Sequence, residues 1–197
     1  EIVPIEVLGF DGSTSTFAVD EHPRRDTTME KLADLKVIHP EIEGFSITAG
    51  NASGVNDAAG ALMLASMDAA KGNGSEVIAR ILGWTSIGVD PVRMGMGGVE
   101  VITKLLDRTG RKTSDIKLWE INEAFASVPV AACKVLGLDE DTVNIAGSGC
   151  SIGHPIAASG ARMLCTLIND LKRAGGGLGV ASMCAGGGQG GAVLVEV

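Results

Sequence analysis

Positive charge is scarce in this sequence: 16 Lys and Arg residues stand against 24 Asp and Glu residues, which gives a formal net charge of −8 and a pI near 4.8. Surfaces that bind nucleic acid or anionic membranes depend on clustered positive charge. The balance therefore argues against nucleic acid and against a membrane as partners. A polyanionic small molecule stays compatible with the sequence, but only through a local basic patch.

Cysteine pairs are also missing, although the chain contains four cysteines, Cys133, Cys150, Cys165 and Cys184. Without a C-x-x-C pair, the sequence predicts neither a zinc site nor a dithiol redox motif. Cys133 and Cys165 fall in helical patterns and are interpreted as small core residues. This use of cysteine fits a reducing compartment, and we expect a cytoplasmic protein.

Long apolar runs and a leader segment are absent as well. Gly and Ser interrupt the charge-free segments, so no run is long enough to span a membrane, and no signal peptide opens the chain. The first residues, Glu-Ile-Val-Pro, lack an initiator Met and read as part of a strand. We therefore expect a processed product or a segment whose natural start lies elsewhere.

The most informative stretch is Val143 to Arg162, VNIAGSGCSIGHPIAASGAR, which is free of charge before its last residue and contains one histidine. Its glycines permit positive φ and a close approach of backbone to a ligand. Pro155 fixes its own φ and disfavours the helical region for His154. The pattern predicts that His154 lies on a turn, at the mouth of a helix that opens near Ser159, which is a position suited to chemistry.

Three further segments also combine glycine or small polar residues with the end of a predicted strand or the start of a predicted helix. SMCAGGGQGGA, Ser182 to Ala192, continues an apolar strand into Cys184 and a glycine run. WEINEAF places Asn122 where a strand ends and a helix begins. AGNASG, Ala49 to Gly54, precedes an apolar segment in which Ser53 or Asn56 can act as a helix N-cap.

Together AGNASG, NEAFA, the GHP turn and C-x-G-G-G resemble the C-terminal half of the thiolases, the acyl-CoA C-acyltransferases, over essentially all 197 residues. The resemblance implies an α/β thiolase fold, a mixed five-stranded sheet with helices on both faces, plus an incomplete N-terminal portion completed by a partner chain. It assigns residues 1–48 to the end of the loop domain that covers coenzyme A. Residues 49–75 become the last helix and strand of the N-terminal thiolase domain, and residues 76–197 the C-terminal thiolase domain.

Hydrophobic periodicity and turn signals predict the elements. In the last 120 or so residues the order is β-α-β-α-β-α-β-β, with strands at Val77–Trp84, Ile116–Glu120, Val143–Ile145, Leu178–Met183 and Ala192–Val197, and helices at Val99–Thr109, Ala124–Leu136 and Gly160–Arg173. Before them we expect a strand at Ile2–Val7, a short helix capped by Asp26 or Thr27 with Glu30 at its capping-box position, a helix and then a strand within Asp57–Ser66, and a loop at Asp68–Ser75.

The resemblance also implies residue roles in ping-pong acyl transfer. Cys184 matches the cysteine that moves a proton at the α-carbon of acetyl-CoA; a thiol, with a pKa of about 8.5 when unperturbed, suits that task. His154 matches the histidine that activates the nucleophile and donates to one oxyanion site. Asn122 matches the residue that positions a water completing that site. The backbone N–H of Gly186 would form part of the other oxyanion site.

Contacts with coenzyme A are implied at four residues, namely Ser53 and Ala49 along the pantetheine arm, Arg24 at the nucleotide, and Lys31 as a weaker candidate for the same role. Coenzyme A thioesters are the expected substrates, and neither another cofactor nor a metal is expected. The chain departs from the family at Ser148 and Ala157, which stand at glycine positions. Cys150 stands where an apolar residue is usual and is interpreted as packing beside the site.

The nucleophile is the largest departure, because no other cysteine lies in the family's nucleophile context. We therefore expect the C-terminal chain of a split or nicked thiolase, paired with an N-terminal thiolase chain that carries the nucleophilic Cys, in a dimer or tetramer of such pairs. Acetyl-CoA and acetoacetyl-CoA are the expected substrates, since EIVPIEV and DEHPRRDTT resemble the acetyltransferase branch. A non-catalytic CoA- or lipid-binding relative is the alternative, which the presence of Cys184 and His154 disfavours. Condensing enzymes of the ketoacyl-synthase type are a third reading, against which C-x-G-G-G decides.

Overall fold

The computed structural model describes residues 2–197. The strands are β1 (Ile5–Leu8), β2 (Thr14–Phe17), β3 (Arg80–Gly88), β4 (Leu118–Ile121), β5 (Leu178–Ala185) and β6 (Gln189–Glu196). The helices are α1 (Met29–Ala33), α2 (Met67–Gly72), α3 (Gly97–Thr109), α4 (Ser127–Leu136), α5 (Gly149–Ile152) and α6 (Ser159–Arg173), with single 3-10 segments at Pro91–Met96, Thr113–Asp115 and Glu140–Thr142.

A mixed sheet in the order β3-β6-β5-β4 organises the region after residue 79. β6 pairs antiparallel with both β3 and β5, whereas β4 pairs parallel with β5. Helix α3 packs against β3, β5 and β6, and α6 packs against β4 and β5. The prediction of an α/β fold with a mixed sheet between helices is confirmed.

Each face of the sheet has its own hydrophobic core, because successive strand residues point to opposite faces. On the α3 and α4 side, Leu105 and Val180 are fully buried. On the α6 side, the neighbouring strand residue Ala181 packs with Leu167 and Leu171. Helices α3 and α6 therefore cover the sheet from opposite sides, although the edge strand β3 leaves Trp84 62% exposed.

The expected fifth strand, Val143–Ile145, is reduced to one parallel bridge between Trp119 and Val143. Asn144 has a φ of 51°, which turns its backbone away from the sheet. Its side chain continues the ladder instead: Oδ1 accepts from Ile121 N at 2.8 Å, and Nδ2 donates to Ile121 O at 2.9 Å. The described residues thus contain a four-stranded sheet extended by a side chain, where the sequence predicted five strands.

Helix α1 forms where a short helix was expected, but Thr28 caps it rather than Asp26 or Thr27. The Thr28 hydroxyl accepts from Lys31 N at 3.2 Å. Both predicted caps have other partners, since the Asp26 carboxylate accepts from Lys31 Nζ at 2.7 Å and the Thr27 hydroxyl donates to Arg24 O at 2.9 Å.

The segment Asp57–Ser66 contains neither the helix nor the strand that the sequence predicted. No strand lies beside Leu62–Ala65, and a strand without a neighbour leaves its backbone groups unpaired. The expected loop that follows is also wrong in part, because α2 begins at Met67. Ser66 caps that helix, its hydroxyl accepting from Ala69 N at 3.2 Å.

Candidate active site

His154 is held on a turn by the segment that precedes α2. Gly153 has a φ of +104°, and a Cβ at this position would lie 2.7 Å from Asn56 Cγ, so only glycine fits. The His154 N–H donates to Asn56 Oδ1 at 3.0 Å, and Val55 forms a parallel bridge with His154. Asn56 therefore anchors the turn that carries His154 and caps no helix, contrary to one reading of the sequence.

The hydrogen bonds of His154 orient its ring. Nδ1 lies 2.6 Å from Ser159 Oγ, and the Ser159 hydroxyl also lies 3.1 Å from Pro155 O. A serine hydroxyl has one proton; when it is donated to Pro155 O, Ser159 accepts from Nδ1–H, and the lone pair of the neutral imidazole is on Nε2.

Asn122 lies at the end of β4, completely buried, with its N–H donating to Ser182 O at 2.9 Å. Its Nδ2 is 3.3 Å from His154 Nε2 and 3.5 Å from Nδ1. Because Nδ2 is almost equally far from both ring nitrogens, the amide of Asn122 lies against the imidazole ring and does not point at one nitrogen alone. Among the described residues the Asn122 amide oxygen has no partner, so it is a buried acceptor beside the histidine.

The environment of His154 favours its neutral form. Burial lowers the pKa of His154 below the ordinary value, and the positive charge of Arg162 lowers this pKa further. At neutral pH the imidazole is consequently uncharged, with Nε2 available to take a proton.

Cys184 is placed near the end of β5, the strand next to Asn122. It is 4% exposed and packs with Val99 and Val128 on the α3 side of the sheet. A Cβ on Gly98 would lie 3.2 Å from Cys184 N, so the glycine permits a close approach of α3. Burial raises the pKa of the Cys184 thiol above its ordinary value. In the part of the chain that the structure describes, no hydrogen bond links this thiol to His154.

Gly186 opens the three-glycine loop between β5 and β6, which is a tight hairpin connection. It is exposed, and its carbonyl accepts from Gln189 Nε2 at 3.2 Å. A Cβ there would meet nothing within 4 Å. The role of its N–H in an oxyanion site stays a prediction.

Ser53 shares a cleft of about 380 Å³ with His154, lined by residues 53–58 and 154–158. The Ser53 N–H donates to Ala124 O at 3.0 Å, which ties the loop to the NEAF segment. The cleft brings together one predicted coenzyme A contact and the predicted catalytic histidine.

The other three predicted coenzyme A contacts lie outside this cleft. Arg24, Lys31 and Ala49 are all exposed. Lys31 Nζ is bonded to the carboxylate and the carbonyl of Asp26, both at 2.7 Å. Instead, His22 of the same covering segment approaches the loop, with its Nδ1 3.4 Å from Asn56 Nδ2.

The sequence reasoning missed a buried charge pair next to the site. Arg162 Nη1 donates to Glu120 Oε2 at 3.0 Å, and Arg162 Nη2 donates to Ser148 Oγ at 3.2 Å. A signal existed, because Glu120 interrupts the apolar strand LWEI and Arg162 ends the long charge-free stretch. Charged residues in such contexts are seldom buried unless they are paired.

Two models of known protein families match successive parts of the chain. Residues 75–197 match the family model described as "Thiolase, C-terminal domain", and residues 1–68 match "Thiolase, N-terminal domain". The chain belongs to the thiolase family. Along residues 2–197 no helix has the length and hydropathy needed to cross a membrane, and no group of three His, Cys, Asp or Glu side chains is placed to hold a metal ion.

Individual thiolases resemble this chain along its whole length. It is 46% identical over 196 residues to the mitochondrial 3-ketoacyl-CoA thiolase of Bos taurus and 44% identical over 196 residues to the acetyl-CoA acetyltransferase of Shinella zoogloeoides, covering 100% of this chain and 49% of each relative. The crystal structure of the Bacillus anthracis acetyl-CoA acetyltransferase superposes with a TM-score of 0.90 at 46% identity, over 98% of this chain and 48% of that one. The chain thus spans about half the length of the relatives it matches.

Proposed function

We propose that this chain acts as the C-terminal half of a split or nicked thiolase, which transfers an acyl group and makes or breaks a carbon–carbon bond between acetyl-CoA units. The observation that carries the proposal is the state of His154. Its Nδ1 lies 2.6 Å from Ser159 Oγ, its Nε2 lies 3.3 Å from Asn122 Nδ2, and burial lowers its pKa. A neutral imidazole of this kind suits a general base for a thiol nucleophile.

In the proposed first step His154 Nε2 takes the proton of a cysteine thiol, and the thiolate attacks the thioester carbonyl. The acyl group moves to the cysteine, and coenzyme A leaves after taking up a proton. The imidazole N–H, together with a water held by the buried amide oxygen of Asn122, is suited to stabilise the negative oxygen that forms.

The second proposed step uses Cys184 at the α-carbon. In condensation its thiolate removes a proton from acetyl-CoA, and the resulting carbanion attacks the acyl-cysteine carbonyl, which releases the acylated cysteine as a thiolate. Burial raises the pKa of Cys184, so the resting group is the thiol, the form that returns a proton to the α-carbon in thiolysis. The Gly186 N–H is the proposed donor to the enolate oxygen.

The nucleophile is proposed to come from an N-terminal thiolase chain. All four cysteines lie within residues 75–197, and the stretch that matches the N-terminal domain contains none. Large apolar side chains are open to a partner: Val55 and Ile156, which line the cleft, are 104% and 79% exposed, and Met63 is 95% exposed. Burying one such side chain contributes about 1.5–3 kcal/mol, so a partner that covers them gains substantially.

Acetyl-CoA and acetoacetyl-CoA are the proposed substrates, with coenzyme A as the leaving group and no further cofactor. Ser53 is the proposed pantetheine contact in the cleft, Ala49 lies in the same loop, and Arg24 and Lys31 are proposed for the nucleotide. The segment that carries Arg24 would have to bring this exposed side chain to the ligand. We further propose a dimer or tetramer of chain pairs, in the cytoplasm.

The test is reconstitution with the part of the Shinella zoogloeoides acetyl-CoA acetyltransferase that this chain does not match, extended as needed to include its nucleophile. The mixture should thiolyse acetoacetyl-CoA. Cys184→Ser should abolish condensation, by about 10²- to 10⁴-fold or more, and still permit acylation of the partner cysteine. Loss of acylation with α-proton exchange retained would remove Cys184 from the proposed role.

His154→Ala in the same mixture should impair acylation itself. The informative measurement is the reactivity of the partner cysteine toward an alkylating probe as a function of pH, because the mutant lacks the group that takes the thiol proton. An unchanged profile would contradict the assignment of His154.

A further inference from the structure

The segment 144–150, which leads from the edge of the sheet to the turn of His154, is bound at both ends by Glu123. Asn144 Nδ2 donates to Glu123 Oε1 at 2.8 Å, and Cys150 N donates to Glu123 Oε2 at 3.0 Å. Hydrogen bonds to a charged carboxylate are shorter and roughly twice as strong as those between neutral groups. One carboxylate therefore fixes the start and the end of this segment.

The main chain of Glu123 lies against the same segment. A Cβ on Gly149 would lie 2.3 Å from Glu123 O, so glycine is required for this close approach. The Cys150 thiol also donates to Glu123 O, with Sγ 3.7 Å from the oxygen. The segment is consequently packed against the residue that directly follows Asn122 in the chain.

Asn122 and His154 are each held by a separate backbone bond. The Asn122 N–H donates to Ser182 O at 2.9 Å within the sheet, and the His154 N–H donates to Asn56 Oδ1 at 3.0 Å. Neither of these bonds connects the end of β4 with the segment that leads to His154, whereas the bonds of Glu123 do.

We infer that Glu123 is a positioning residue: by fixing the segment 144–150 to the end of β4, it sets the contact between the Asn122 amide and the His154 imidazole, where Nδ2 lies 3.3 Å from Nε2. This deepens the proposed function, on which it rests, because Asn122 and His154 are the residues proposed to stabilise the negative oxygen in acyl transfer. Glu123 is not among the described residues that line the cleft beside His154, so it acts through these two residues and not on substrate.

The hydrogen-bond pattern requires a carboxylate at residue 123. Asn144 Oδ1 accepts from Ile121 N, and of the two Nδ2 protons one goes to Ile121 O and the other to Glu123. Cys150 presents a backbone N–H, so both partners of the Glu123 carboxylate are donors. Glutamine has nearly the same shape but carries one oxygen and one NH2 group, so it would leave one of the two donors facing another donor.

The first test is the nuclear Overhauser contact between the side-chain amide protons of Asn122 and the ring protons of His154, in the full 197-residue chain, alone and with the N-terminal chain used above. The signals are assigned by their loss in Asn122→Ala and in His154→Asn. The contact should be present in the wild type and lost in Glu123→Gln. It should persist in the control Glu100→Gln, which changes a glutamate on α3 that pairs with Arg93 Nη2 at 3.4 Å.

The second test is the steady-state kinetics of the reconstituted pair of chains. Glu123→Gln should lower kcat for acetoacetyl-CoA thiolysis by about 10- to 100-fold, because a small displacement of the reacting groups slows the chemical step. KM should stay close to the wild-type value, because the residues that line the cleft are unchanged. A merely structural role would lower the free energy of unfolding but preserve the contact between Asn122 and His154 in the folded chain.

The inference is overturned if folded Glu123→Gln keeps the contact between Asn122 and His154, or if it raises KM with kcat unchanged. Should Glu123→Gln fail to fold, Glu123→Asp keeps the charge but is one methylene too short to reach both donors; the same loss is expected, and a retained contact overturns the inference. The Overhauser contact needs no substrate, so it can persist while thiolase activity is found, and it can be lost as expected while thiolase activity is absent.

Discussion

The two parts of this chain differ in how far they bury their own side chains. Residues 76–197 form a sheet with helices on both sides, and Leu105, Leu171 and Leu194 are fully buried. Among residues 2–75 the one buried residue is Ala70, and sixteen large apolar side chains there are exposed. Hydrogen bonds join the first part to the second at the turn of His154, where Asn56 accepts from His154 N, and at the NEAF segment, where Ser53 N donates to Ala124 O.

The difference indicates which part of the chain needs a partner to cover its apolar side chains. A domain's stability is a small surplus, about 5–15 kcal/mol, so several exposed apolar residues decide whether a segment holds its structure. The C-terminal region also exposes large apolar side chains, but it has two clusters of buried ones. The N-terminal region has no such cluster among its described residues, 2–75, and the site lies where the two regions meet.

The largest expected effect is on packing. Leu105→Ala should destabilise the C-terminal region by about 2–5 kcal/mol, because a fully buried leucine leaves a cavity. Leu64→Ala, the matched change at a side chain that is 69% exposed, should change stability by less than about 0.5 kcal/mol. Urea unfolding followed by circular dichroism measures both, and equal effects would break the contrast between the regions.

A smaller effect is expected at Asn144, whose side chain completes the sheet edge. Asn144→Gly keeps the positive φ accessible but removes three side-chain hydrogen bonds, to Ile121 N, Ile121 O and Glu123 Oε1. The loss should be about 1–3 kcal/mol by the same unfolding measurement. Asn73→Gly in the N-terminal region is the control, because it increases the entropy of the unfolded chain by the same amount as Asn144→Gly. A similar loss of stability in Asn73→Gly would contradict the role of the Asn144 side chain.

The junction between the regions should respond to Asn56→Ala. This change removes the acceptor of His154 N–H, which should cost about 0.5–1.5 kcal/mol and loosen the segment around residues 53–58. Hydrogen exchange at the His154 amide is the measurement. If its protection is unchanged, the turn is held by something other than Asn56.

The smallest expected effect is the pH dependence that His154 contributes. The pKa of His154 is lowered in the folded chain, so below the ordinary value of 6.5 the unfolded chain binds more protons than the folded chain does. The stability that the neutral imidazole contributes is therefore lost as pH falls through that value. Relative to His154→Gln, the wild type should lose stability between pH 7 and 5. Glu120 acts in the opposite direction, so the comparison with the variant is needed; a parallel pH dependence in the two proteins would refute the shift.

Hydrophobic periodicity in the sequence predicted the helices and strands that pack on one another within this chain. It failed for elements whose formation depends on pairing with a neighbouring strand. Helix α3 and its end at Gly110, with φ 65°, follow from the spacing of Val99, Ile102 and Leu105. The strand predicted within Asp57–Ser66 has the right composition, but no strand of residues 2–197 pairs with this segment. The fifth strand was lost to a single residue, Asn144, whose positive φ no hydrophobic pattern reveals.

Within the candidate site, the sequence motifs predicted His154, Asn122 and Ser53, and the fold places these residues close together. Two of the side-chain contacts were not predictable from motifs, because Asn56 bonds to His154 and Arg162 bonds to Glu120 across distant segments of the chain. The contact between Ser159 and His154 is local, but the sequence pattern did not single it out. The isolated charges of Glu120 and Arg162 were the visible signals of this pair.

The most direct test of the account is hydrogen exchange along this chain, alone and with the N-terminal thiolase chain. Residues before Val77 should exchange with weak protection in the lone chain and become protected when the partner is added, because their exposed apolar side chains are then covered. The region after Val77 should be protected in both states. A lone chain that is monomeric, protected throughout and able to thiolyse acetoacetyl-CoA would contradict the account.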